Sequence, residues 1–360
     1  DANLFTHIIY GFGKVDFGNR ENPKFEIAPF EANDLGPGGQ YQQVNDLKKK
    51  YPHLKTLLAI GGWTFNDPVE VAGPNSTAWV FSKMVSTKEY RSHFIAHAIR
   101  YLRAANFDGL DLDWEYPTDE GRGGHPEDKQ NFTALCKEFK EAAAVEAKES
   151  GKELLLLTMA TGAHKAETFE LDKLKDILDW VNLMTYDFYG GWAAATGMNA
   201  PLTGDPTGNW YVAKAVDKWL EMGIPADQLV LGMPSYGRSF KGVENPAPGS
   251  KATGAGVKGR CTGADGFLAY YEAMALIESG KYKTYWDPIS STPYAYNEAE
   301  KSWFSYDDIR SINMKVDFLE EKGLGGGMFW AIDLDDYHND YPLITTVARR
   351  LRGPDVEKGM

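Results

Sequence analysis

Residues 107–117 read Phe-Asp-Gly-Leu-Asp-Leu-Asp-Trp-Glu-Tyr-Pro, with acids at alternate positions Asp111, Asp113 and Glu115. Apolar and acidic residues alternate here as on a strand, where i, i+2 and i+4 share a face. The three carboxyls therefore form a column with steps of roughly 7 Å. Leu110, Leu112 and Trp114 take the opposite face. Like charges stacked at the edge of a core cannot all ionise, so at least one carboxyl keeps its proton. A protonated carboxyl beside ionised neighbours is what cleavage of a glycosidic bond requires. Asp108 has the other parity and reads as a hydrogen-bonded residue at the strand start.

Such a column has to be held by a scaffold, and the chain alternates strands with helices. Strands are expected at Thr6–Gly13, Leu54–Trp63, around the acid column, at Leu154–Thr161, Trp180–Tyr186, Gln228–Tyr236 and Gly326–Leu334. Helices are expected at Tyr41–Tyr51, Tyr90–Ala105, around Phe132–Phe139, and at Leu171–Leu178, Tyr211–Met222, Asp307–Glu321 and Tyr341–Leu351. Residues 239–307 break this rhythm. They are rich in Gly, Pro and Tyr and suggest short strands around one helix, Gly266–Ser279. Alternation of this kind implies a parallel sheet covered by helices. Its count and length suit an α/β fold of the (β/α)8 TIM barrel type, with a small α+β insertion domain before the last barrel helix and strand. The barrel would comprise residues 1–238 and 308–352, the insertion 239–307, and a polar tail 353–360. No phosphate-binding glycine-rich turn follows the first strand, which argues against a dinucleotide fold.

The chain has 360 residues, 43% of them hydrophobic, enough for a large core. A formal net charge of −13 with no basic cluster argues against nucleic acid. No apolar run reaches membrane-spanning length. The chain opens on Asp1-Ala2-Asn3-Leu4, so any export signal is expected to have been removed or omitted. No Cys/His metal pattern occurs, and neither metal nor cofactor is expected. Of the 10 Trp and 19 Tyr some must be core, but that many flat amphipathic rings also suit a sugar-binding cleft. A disulfide between Cys136 and Cys261 is compatible with the sequence, though spacing cannot establish its geometry.

Residues 108–115 fit the D-x-x-D-x-D-x-E signature of glycoside hydrolase family 18, the chitinases, and the chain resembles that family over nearly its whole length. Leu58-Ala59-Ile60-Gly61-Gly62-Trp63 resembles its S-x-G-G strand, Met184-Thr185-Tyr186-Asp187 its M-x-Y-D strand, and Gly232–Arg238 and Gly326–Asp333 its last two barrel strands. The insertion resembles the α+β domain of the subfamily with deep substrate clefts. Two departures stand out. Ala59 replaces a Ser that in the family bonds the first inward Asp, so Asp111 is expected to lack that partner. The family's first barrel strand should precede Thr6. Seven barrel strands are counted, and a vacant place is expected between the strands at Thr6–Phe12 and Gly327–Ile332.

The resemblance implies that Glu115 is the general acid and then base, that Asp113 holds the substrate's acetamido N–H, and that Asp111 sets the proton balance of Asp113. It implies that Tyr186 bonds the acetamido oxygen and that Trp330 lies under the reacting sugar. Trp63 and Trp192 are expected to stack on neighbouring sugars. Tyr116, Met184, Asp187, Tyr236 and Arg238 are carried over as substrate-binding positions, and Phe12 as support from the Tyr10-Gly11-Phe12 strand. The implied activity is that of a secreted, retaining chitinase acting on chitin and chito-oligosaccharides, monomeric unless another chain supplies the first strand. The rivals are a chitin-binding lectin on the same fold, an endo-N-acetylglucosaminidase acting on glycoprotein glycans, and a metal-dependent barrel hydrolase.

Overall fold

A computed structural model describes residues 1–205, 210–354 and 356; of the expected tail, Asp355 and Glu357–Met360 lie outside the described residues. The chain forms two compact units, one of residues 1–182 with 222–228, the other of residues 183–221 with 229–360.

In the first unit the strands are β1 (His7–Asn19), β2 (Asn22–Pro29), β3 (Lys55–Gly61), β4 (Gly109–Asp113) and β5 (Leu156–Gly162). The first residues of β6 (Trp180–Met184) also belong to it. β1, β3, β4 and β5 run parallel, with Ala59 beside Asp111 and Asp111 beside Thr158. Every residue of β4 is buried, as is expected where helices cover both faces of a parallel sheet. Two long helices do much of this covering. Lys88–Ala104 is capped by the Thr87 hydroxyl, which accepts from Tyr90 N at 3.2 Å, and it buries Phe94, Ile95, Ala98, Ile99 and Leu102. Asp128–Ser150 ends at Gly151, whose φ of 69° lets the chain turn off the helix, and it buries Phe132, Leu135, Cys136 and Phe139. Each large apolar side chain so buried contributes about 1.5–3 kcal/mol. Trp114 stacks on Phe81 at 5.3 Å and fixes the back of the acidic segment.

Three sequence expectations change here. β1 runs beyond Gly13 to Asn19 and folds back on β2, an antiparallel hairpin that the reading missed. Its signal was short: Val15, Phe25 and Ile27 alternate inward on either side of a polar turn. The acid strand ends at Asp113, so Trp114–Pro117 leave the ladder instead of extending it. A further short helix, Val80–Val85, supplies the Phe81 ring. β1 pairs with β3 through residues 7–13 and with β2 through residues 13–19. The other flank of residues 7–11 has no strand partner among the described residues of this unit, and Ile8 and Ile9 are only half-buried.

The second unit contains β7 (Leu229–Pro234), β8 (Tyr236–Lys241), β9 (Phe267–Ala269), β10 (Lys283–Asp287), β11 (Thr292–Asn297), β12 (Ser302–Ser305) and β13 (Gly326–Trp330). β7 and β13 are parallel, with Pro234 beside Trp330. β8 to β12 form an antiparallel sheet in the order β10-β11-β12-β8-β9. That sheet begins at Tyr236, ahead of residue 239. The helix expected from Gly266 begins at Tyr270, because Phe267–Ala269 pairs with β8 first. Glu272 fixes the junction by accepting from Ala269 N at 3.0 Å and Cys261 N at 2.6 Å. Cys136 is buried, Cys261 is exposed, and neither is in a disulfide. Among the described residues no helix is long and apolar enough to cross a membrane.

Candidate active site

β4 delivers the carboxyls. Asp111 is 2% exposed, and its Oδ1 accepts from Thr158 Oγ1 at 2.5 Å and Asn182 Nδ2 at 3.0 Å. Ala59 beside it offers no hydroxyl, and β5 and β6 supply its donors from the other side. Both partners carried a signal in the sequence, as polar residues inside mostly apolar strands. Burial pushes the Asp111 carboxyl up to about 6, opposed by these two donors.

Asp113 is more extreme. Its Oδ1 is buried and has no hydrogen-bond partner among the described residues. Burial first, then the negative charges of Glu115 and Asp111, drive its pKa well above the usual carboxylate range. Glu115 is 7% exposed and sits just past the strand end, before a cis Glu115–Tyr116 peptide. Tyr116 is also buried. Its hydroxyl is raised by burial and then by Glu115, and Lys165 Nζ lies 4.6 Å from its ring centroid. Three buried acidic groups thus follow one another at alternate positions, with Asp113 raised by both of the others. Asp108, of opposite parity, instead accepts from Thr56 N at 2.8 Å and pairs with Lys48 at 2.9 Å.

The end of β3 braces this column. Gly62 N donates to the Asp113 carbonyl at 2.8 Å. A Cβ on Gly61, whose φ is +107°, would stand 2.1 Å from that same oxygen, so no side chain fits there. Phe12 follows a cis peptide and lays its ring against Gly62, where an added Cβ would meet it at 3.0 Å. Trp63 then emerges, 55% exposed. Arg122, which the sequence reading passed over, lies against it: the guanidinium carbon is 3.5 Å from the indole centroid. Arg122 Nε donates to the Glu115 carbonyl at 2.7 Å, and Nη2 donates to the Trp63 carbonyl.

In the second unit the M-T-Y-D residues meet β8. Asp187 Oδ1 accepts from Tyr236 Oη at 2.8 Å and Arg238 Nε at 2.7 Å. Asn199, unread in the sequence, ties the same corner by accepting from Asp187 N and donating to the Tyr236 carbonyl, both at 3.0 Å. Tyr186 is buried, 6.0 Å edge-on from Tyr236, in an apolar cluster that includes Met184. Trp192 is 64% exposed with the Arg238 guanidinium 5.1 Å from its ring. Trp330 ends β13 before a cis peptide and is 39% exposed. Its carbonyl accepts from Ser235 N at 3.1 Å.

A parallel α/β scaffold that ends one strand on buried, closely spaced carboxyls has the equipment of an acid–base hydrolase. The chain belongs to the glycosyl hydrolases of family 18, whose family profile matches residues 1–335. Mouse chitotriosidase-1 is 40% identical over 98% of this chain and 73% of its own length. Among solved structures, an immunomodulatory active chitinase of Trichuris suis superposes with a TM-score of 0.84 at 32% identity, covering 98% of this chain and 93% of that one. Human YKL-39, described as a pseudo-chitinase with retained chitooligosaccharide binding, superposes with a TM-score of 0.82 at 33% identity, covering 98% and 92%.

Proposed function

We propose that this glycosyl hydrolase is a retaining chitinase that cleaves β-1,4 bonds between N-acetylglucosamine units with the substrate's own acetamido group as nucleophile. The observation that carries the reading is the buried column in which Asp113 has an orphan oxygen and a raised pKa beside Glu115. No separate carboxylate on the strand is assigned as nucleophile, which fits substrate assistance. Glu115 protonates the leaving glycosidic oxygen. Asp113 accepts the acetamido N–H and stabilises the cyclic oxazolinium that forms when the acetamido oxygen attacks the anomeric carbon. Asp111 holds a share of the column's protons. Water, deprotonated by Glu115, then attacks the anomeric carbon from the face the leaving group vacated and breaks its bond to the acetamido oxygen, giving retention. Tyr186 steadies the acetamido oxygen, and Trp330 lies beneath the reacting sugar. Trp63 and Trp192 stack on neighbouring sugars; Asp187, Tyr236, Arg238, Tyr116, Met184 and Phe12 shape the binding surface.

The same reading makes the protein a monomer acting outside the cell, on a (β/α)8 framework with residues 239–307 as an α+β insertion. A binding protein without turnover is the second reading, favoured by the likeness to YKL-39. Presence of Glu115 in the full signature speaks against it. Release of the chromophore from an aryl chitobioside separates the two: turnover supports the hydrolase, and binding without release supports the lectin.

A further inference from the structure

Arg122 lies in a short helical turn, Glu120–Arg122, in the loop after the acid strand. A solvated loop arginine would be unremarkable, but this side chain is only 11% exposed, and its whole fork is used. Nε binds the backbone carbonyl of Glu115 at 2.7 Å. Nη2 binds the backbone carbonyl of Trp63. Nη1 faces Asp67 Oδ1 at 3.5 Å, which offsets its charge. The flat guanidinium also lies 3.5 Å from the Trp63 ring centroid, in van der Waals contact with one indole face. The indole nevertheless remains 55% exposed, so its other face is open.

We propose that Arg122 is a positioning residue that locks the Trp63 platform to the backbone of Glu115, so that a sugar stacked on Trp63 is held in register with the acid. The proposal rests on the reading of Trp63 as a sugar platform. An exposed indole such as Trp63 would otherwise lose rotamer freedom when sugar binds; a stacked guanidinium removes that freedom beforehand. Lysine cannot substitute, because it lacks the planar fork and the stacking face.

The test uses binding of N-acetylglucosamine hexamer and dimer to the Glu115→Gln protein, followed by calorimetry, so that it does not depend on turnover. Wild-type hydrolysis, assayed separately, judges the chitinase reading itself. Arg122→Ala and Trp63→Ala should each weaken hexamer binding by roughly tenfold, with a smaller effect on the dimer. The double variant should bind no worse than Trp63→Ala alone, because Arg122 acts through that ring. Arg122→Lys should recover less than half of the lost binding free energy. Additive losses, equal losses on dimer and hexamer, or full recovery by Lys would overturn the proposal. If Arg122→Ala fails to fold by circular dichroism, Arg122→Lys alone decides: wild-type hexamer affinity would refute the lock, and a loss confined to the longer ligand would support it.

Discussion

Asp113 in the first unit and Asp187 in the second both lie at strand ends, yet their surroundings differ in sign. Asp187 meets a guanidinium and a phenol on one oxygen, and its backbone N–H is held by Asn199. Asp113 meets two other carboxyls and leaves a buried oxygen without a partner. One carboxylate is paired with a cation and anchored; the other is pushed up by burial and by its carboxyl neighbours. A fold oriented only toward stability would not leave the second arrangement in place, since an unpaired buried polar group costs about 1–3 kcal/mol. In the proposed mechanism the column does the chemistry, and the Asp187 corner is held by its own hydrogen bonds and ion pair.

The comparison predicts effects of different kinds. The largest should follow Glu115→Gln, which keeps the shape of the column and removes its donor. Turnover of chito-oligosaccharides should fall by roughly 10²–10⁴-fold while calorimetric binding persists. Parallel loss of both would make Glu115 a structural residue. Next comes Asp113→Asn, which removes the shared charge. Turnover should drop and the pH–rate profile should move, because the acids titrate together. A pH–rate curve superposable on that of the wild type would take Asp113 out of the mechanism.

Around Asp187, Arg238→Ala removes its ion pair, leaves the Tyr236 hydrogen bond, and takes away the cation near the Trp192, Tyr236 and Phe267 rings. Denaturant unfolding should show about 1–3 kcal/mol of lost stability, limited because Asp187 is partly exposed to water. An unchanged midpoint would mean that solvent already satisfies Asp187. The smallest effect is one of sign. The Asp111 carboxyl has its folded pKa raised from 3.8 to about 6, so the folded state binds the extra proton between those values. Stability contributed by that proton is therefore present at low pH and is lost as pH rises through about 6. Asp111→Asn has no such loss, so its melting temperature relative to wild type should improve from pH 4 to pH 7. A difference that stays flat or falls over that range would contradict the raised pKa.

The sequence made the acid column legible because alternation on a strand is a short-range rule that needs no tertiary knowledge. It made the parallel strands β1, β3, β4 and β5 of the first unit, and β7 and β13 of the second, legible because buried parallel strands are apolar runs of nearly fixed length. It failed where partners come from elsewhere in the chain. Thr158 and Asn182 could be noticed as polar residues in apolar strands, but their convergence on Asp111 depends on strand order and register. Arg122 looked like one more charge in a Gly/Pro loop; only the fold brings its fork to two carbonyls and a ring. The β1–β2 hairpin escaped because its alternation is brief and its turn residues resemble any polar loop.

In the proposed mechanism the nucleophile belongs to the substrate, and Glu115 serves first as acid and then as base. The most direct measurement is the anomeric configuration of products from N-acetylglucosamine hexamer, read by proton NMR within the first turnovers, before mutarotation. The β-anomer should appear first at the new reducing ends. Initial release of the α-anomer would mean direct attack by water on the opposite face, and the acetamido mechanism assigned to Asp113 and Glu115 would be wrong.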